Sequence, residues 1–159
     1  MFVVYLGHSH NHLRVMDVVI NYWAVFGAAV AAIVLGSLWY GPLFGRQWMR
    51  IVGISKADME AAGKKGKRMM MRSYALMGIG TLVMAYVLAH VLTYASAFTG
   101  SVGADAGIAA GLSIWIGFIA PVMMGNVIWE GRPWKYWFIT AGYYLVSLIL
   151  MGVILAVAS

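Results

Sequence analysis

The 159-residue chain has no cysteine, three prolines and five acidic side chains. The missing cysteine excludes disulfides, thiolate metal sites, iron–sulfur clusters and cysteine nucleophiles. The few carboxylates (Asp17, Asp58, Glu60, Asp105 and Glu130) do not pair within any apolar run, which leaves little for two-carboxylate acid–base chemistry. No nucleophile elbow, phosphate loop, His-Glu-x-x-His or dinucleotide fingerprint is present. Charged residues make up 10% of the chain, against about 25% in soluble domains. What the chain has instead is apolar: 63% hydrophobic, with mean hydropathy +0.84. An ordinary soluble enzyme, a disordered tail and a collagen-like fibre are excluded on composition.

Crossing about 30 Å of hydrocarbon takes roughly 20 apolar residues in a helix. Four runs reach that length, at about 18–40, 73–98, 106–129 and 136–158. They are apolar on all sides, unlike the alternating strands of a membrane barrel. The connections 99–105 and 130–135 are short and carry glycine, and tight turns force antiparallel neighbours. The expected fold is all-α: an integral membrane four-helix bundle with antiparallel up-down connections. A long basic loop, 41–72, joins helices one and two, and residues 16–159 form a single transmembrane domain.

The net charge of +6 is concentrated. Eight of the eleven cations (Arg46, Arg50, Lys56, Lys64, Lys65, Lys67, Arg68 and Arg72) fall in the 41–72 segment. That distribution argues against nucleic acid and for membrane topology, with anionic headgroups and the bilayer itself as partners. With Arg132 and Lys135, ten of the eleven share one expected side, which makes the loop cytoplasmic and places both termini outside. Within the segment, Ser55 and Asp58 have capping-box spacing ahead of a short helix that should stop at Gly63. Residues 45–52 mix Trp48, Met49, Ile51 and Val52 with Arg46 and Arg50, which suits the membrane interface. Lys64-Lys65-Gly66-Lys67-Arg68 reads as a topological anchor.

Residues 1–15 form an N-terminal extension, and Met16 stands as an alternative start ahead of the first run. A signal peptide cleaved near Ala29 or Ala31 is the competing reading. The run is long for one, and the cations after it favour a retained span. His8, His10 and His12 alternate and would face the same way in an extended chain, as metal ligands do. No carboxylate or cysteine completes that set, so the tract is compositional only, and no metal or cofactor is expected.

His90 is the one ionisable side chain deep in an apolar run. Tyr86, His90 and Tyr94 recur every fourth residue with Thr93 beside them, a polar face expected to look into the bundle. It admits a proton relay, or more plainly an interhelical hydrogen bond from a neutral imidazole. A second candidate cluster lies at the inner interface: Arg46, Trp48, Glu130 and Arg132, with Glu130 paired to Arg46 or Arg132. Trp39, Trp48, Trp129, Trp134 and Trp137, with Tyr40 and Tyr136, form an aromatic belt at that level, while mid-helix Trp115 reads as packing. Trp39-Tyr40-Gly41 is weakly echoed by Trp129-Glu130-Gly131. Ala24, Ala28, Ala32 and Gly36 repeat every fourth residue, as do Gly103, Gly107 and Gly111, so that helix backbones approach closely within one chain or between copies. Gly117 and Pro121 predict a kink in the third span.

Gly36-Ser37-Leu38-Trp39-Tyr40-Gly41-Pro42-Leu43-Phe44-Gly45, followed by Trp48, is the most specific segment. With Asn21-Tyr22-Trp23-Ala24-Val25, Trp129-Glu130-Gly131-Arg132-Pro133-Trp134-Lys135 and Ala141-Gly142-Tyr143-Tyr144-Leu145, it resembles the bacterial membrane family designated domain of unknown function 1761, over about 16–158. The resemblance implies a small multi-helix protein of the bacterial plasma membrane and carries no catalytic roles. The expected function is a non-catalytic membrane scaffold or accessory protein that self-associates. The alternatives are a small-solute or proton-coupled transporter or channel using the His90 face, and a membrane enzyme acting on lipid or quinone at His90 or Glu130.

Overall fold

The computed structural model describes residues 20–158. The His8/His10/His12 tract, the two candidate start residues and the 1–15 extension lie outside the described residues. Among these, seven α-helices and two π-helical turns account for every regular element. The first span is α1 (Tyr22–Leu38) continued by a π turn (Trp39–Leu43). Then come α2 (Gly45–Val52), α3 (Lys56–Ala61) and α4 (Gly63–Thr99). The third span is α5 (Gly103–Ile114), a second π turn (Trp115–Ile119) and α6 (Ala120–Ile128). The last is α7 (Trp134–Val157). Four continuous helical stretches, Tyr22–Leu43, Gly66–Thr99, Gly103–Ile128 and Trp134–Val157, are long and apolar enough to cross a membrane. The chain is an integral membrane protein by length and composition of its helices.

The expected loop 41–72 is mostly helix. Gly53, at φ +76, ends α2 in the left-handed conformation, and the Ile54 N–H returns to the Met49 carbonyl at 3.1 Å. Ser55 then caps α3: the Asp58 N–H donates to Ser55 Oγ at 3.1 Å, and the Ser55 N–H donates to Asp58 Oδ2 at 2.8 Å. Hydrogen bonds from the Ser55 side chain, then its backbone, hold the Asp58 carboxyl below its usual pKa. Gly63 (φ +51) ends α3 as the spacing predicts, but α4 begins there and runs 37 residues, about 55 Å at 1.5 Å per residue. The reason is composition. From 64 to 72 the chain has Lys, Arg and Met, all good helix formers, with a single Gly and no Pro to stop them.

The core sits where α1, α4 and α7 meet. Alanines 24, 28 and 32 of α1 pack with Ala85, Leu88, Ala89 and Leu92 of α4 and with Leu148, Met151 and Leu155 of α7. The fourth-residue alanine repeat is therefore consumed inside the chain. So is the glycine repeat: a Cβ on Gly107 would overlap the Gly152 backbone, and one on Gly111 would come within 2.8 Å of the Leu148 carbonyl oxygen. These contacts and the cross-helix hydrogen bonds described below pair α5 with α7, and α1 with α7, in opposite directions. At the closed end, Asn21 serves two helices. Its Oδ1 accepts from the Trp23 and Ala24 N–H groups at 3.1 and 3.2 Å, and its Nδ2 donates to the Ala158 carbonyl at 2.9 Å. One side chain thus caps the start of α1 and satisfies a carbonyl at the end of α7.

Candidate functional site

The two π turns have a shared origin in proline. Pro42 and Pro121 lack the N–H that an α-helix needs at their positions, so the ladder slips. In the first turn the Phe44 N–H reaches the Trp39 carbonyl, five residues back, at 2.8 Å. In the third span the predicted kink takes the form of the π turn just ahead of Pro121. Each π turn begins at a tryptophan, and each of these indoles donates to α7. Trp39 Nε1 donates to the Ile139 carbonyl at 2.9 Å, and Trp115 Nε1 donates to the Ala141 carbonyl at 2.7 Å. Two residues on a helix are about 200° apart, so the indoles clasp α7 from opposite sides at one level. A helical carbonyl accepts such a second bond through its spare lone pair. Trp137 of α7 reciprocates, donating to the Ala120 carbonyl at 3.1 Å.

Around this clasp the sequence motifs interlock. Gly142 faces the Trp39 ring, whose Cζ2 lies in van der Waals contact, 3.5 Å from where a Cβ would stand. The Tyr143 hydroxyl donates to the Ala32 carbonyl at 3.2 Å and lies 3.1 Å from the Cβ position of Gly36. Tyr40 packs against Tyr143 (ring centroids 5.3 Å apart) and edge-on against Trp48 (5.7 Å). Gly45 is required because the Tyr40 carbonyl lies where its Cβ would be. Phe44 packs its ring on Trp39 (centroids 4.9 Å apart). Within the Gly36–Trp48 segment, Gly36, Trp39, Tyr40, Pro42, Phe44, Gly45 and Trp48 thereby acquire a reason. The Ala141–Tyr144 segment is its receptor, about a hundred residues later.

The expected belt therefore divides. Trp129 (86% exposed) and Trp134 stand on the surface, where an interface anchor belongs, while Trp39, Trp48 and Trp137 turn inward. The true counterpart of Trp39 is Trp115, which is a hydrogen-bond donor and not mere packing. The echo at Trp129 is positional only. Of the inner-interface cluster, Glu130 and Arg132 pair at 3.9 Å across the Gly131 turn, both solvent-facing, and the Arg132 guanidinium lies 5.8 Å over the Tyr136 ring. Trp48 belongs to the Tyr40 contact, and Arg46 is exposed on α2.

The His90 face points the other way from the one expected. The buried face of α4 is Thr81, Ala85, Leu88 and Leu92, and His90 lies opposite it. Tyr86 and Tyr94 are 43% and 52% exposed, and the half-buried imidazole lies between their rings, with centroids 4.3 and 6.5 Å away. Its Nδ1 bonds the Tyr86 carbonyl at 2.9 Å, and Thr93 Oγ1 donates to the Ala89 carbonyl at 2.9 Å. The periodicity located the stripe; the placement of small residues on its far side could have shown which face is inside.

Fold and clasp define a small helical membrane protein with four candidate spans, built on a central α7. The family profile described as "Protein of unknown function (DUF1761)" matches residues 23–156, and the chain belongs to that family. No curated protein and no solved structure matches it.

Proposed function

We propose that the chain is a non-catalytic scaffold or accessory protein of the bacterial plasma membrane, an up-down four-span bundle that works by assembling with copies of itself. The observation that carries this is the use of three aromatic side chains. Trp39, Trp115 and Tyr143 direct their donors at backbone carbonyls of the chain's own helices, which makes a rigid body. The positive-inside rule sets the 41–72 segment in the cytoplasm with both termini outside. There α2 lies in the interface, and the Lys64–Arg72 end of α4 meets anionic headgroups. A relay through the bundle interior is the weaker reading, because the stripe that carries the half-buried imidazole lies opposite the buried face of α4. The test is extraction of the protein into lipid nanodiscs with counting of copies per disc, beside proton-flux measurements in vesicles. The proposal expects more than one copy per assembly and no flux that depends on His90. Monomers whose flux is lost on His90→Gln would overturn it.

A further inference from the structure

The outward face of α4 has the repeat of a helix–helix seam. Ile79, Val83, Tyr86 and His90 follow three- and four-residue steps, with Ala97 seven residues further on, on the side opposite the buried Thr81, Ala85, Leu88 and Leu92. All but His90, which is half buried, are exposed in the single chain. This face carries polar groups at membrane depth: His90 stands about 13 Å from the Thr99 end of the helix. Two small-residue faces, Ala24–Ala32 of α1 and Gly107–Gly111 of α5, are already occupied within the chain by α4 and α7. The seam on α4 is not.

The hydrogen bonding of His90 sets what it needs. A carbonyl only accepts, so the Nδ1 that bonds the Tyr86 carbonyl carries the proton. With the proton on Nδ1, Nε2 is the ring's acceptor. Among the described residues no hydrogen bond reaches the Tyr86 or Tyr94 hydroxyl, and each is a donor. Lipid tails satisfy neither kind of group. A second copy related by a two-fold axis along the membrane normal supplies both, since each α4 offers acceptor and donor at one level. Helical side chains lean toward the N-terminus, which brings the Tyr94 hydroxyl toward the level of the opposing imidazole.

We infer that α4 is the dimer seam, with His90 as the polar residue that fixes its register through hydrogen bonds with tyrosine hydroxyls of a second copy. The inference rests on the self-associating scaffold reading and names its surface. The cysteine-free chain allows a background-free test. Val83→Cys on the seam and Val122→Cys on α6 (55% and 74% exposed) are each oxidised with copper phenanthroline in native membranes. Val83→Cys should give a disulfide-linked dimer and Val122→Cys a monomer. Adding His90→Leu to Val83→Cys should weaken dimerisation about three- to tenfold, the scale of one interhelical hydrogen bond, while the helical circular dichroism of the purified protein is retained. Efficient linkage at Val122 but not at Val83 would overturn the seam and leave self-association standing. Linkage of Val83→Cys to a different protein would overturn the seam too. Single copies in nanodiscs would remove both.

Discussion

The two halves of α7 are held by opposite means. Toward its C-terminus, Gly152 and Leu148 meet Gly107 and Gly111 with no side chain between, so the α5 and α7 backbones touch. Toward its N-terminus, two indoles and a tyrosine ring stand between the helices and reach backbone carbonyls. Lipid tails are as apolar as leucine, so a membrane helix gains from close packing or hydrogen bonds and not from burial alone. This chain uses the first where helices converge and the second where they part. The π turns belong to the parting half. By slipping the ladder they aim Trp39 and Trp115 at α7, a role that a regular turn at the same positions would assign to other residues.

Breaking the close half should cost most. Gly107→Leu inserts a side chain into the Gly152 backbone, and the helices must separate; a loss of about 3 kcal/mol or more is expected, read as failure to resist denaturant in nanodiscs. Gly27, with nothing within 4 Å of its Cβ position, is the matched control, and Gly27→Ala should be neutral or slightly stabilising. In the aromatic half, Trp39→Phe and Trp115→Phe keep a ring and lose a donor. Each should lower stability by about 1–2 kcal/mol in the same unfolding experiment. Tyr143→Phe removes a longer bond, 3.2 Å, and should cost about 0.6 kcal/mol. Equal losses from Gly107→Leu and Tyr143→Phe would mean that α7 is not divided in this way.

The smallest effect lies outside the bundle, at the Ser55–Asp58 cap. The folded pKa of Asp58 is depressed, so the cap's contribution is present above the unfolded carboxylate range, near 4, and is lost as pH falls through the lower folded value. The protection of the α3 amides, measured relative to their intrinsic exchange rates, should fall in that acid window and stay constant above it. The α7 contacts should show no such dependence.

Much of this was legible in the residues. Apolar run length gave the four spans, and Gly131 with Pro133 gave the last turn. The capping box and the proline-linked distortion of the third span were readable too, because they are local. The clasp was not. That Trp39 and Trp115 share one helix depends on two carbonyls that carry no side-chain signal, and the Gly45 clearance is set by a backbone carbonyl of the preceding turn. The face of α4 differs from the expected one because polarity suggests the interior, whereas Ala85 and Ala89 allow closer approach of the neighbouring helices. The helix α4 is longer than expected because its charged start suggests a loop, although lysine and arginine are good helix formers.

The central claim is that the Gly36–Trp48 segment is part of a joint, closed by the Trp39 and Trp115 indoles on α7. The direct measurement is the indole nitrogen–proton spectrum of the nitrogen-15-tryptophan protein in nanodiscs, assigned by single Trp→Phe replacements and followed after transfer to deuterium oxide. The account predicts that the Trp39 and Trp115 indole protons persist long after that of exposed Trp129 has exchanged. Exchange of Trp39 and Trp115 at the rate of Trp129 would contradict it.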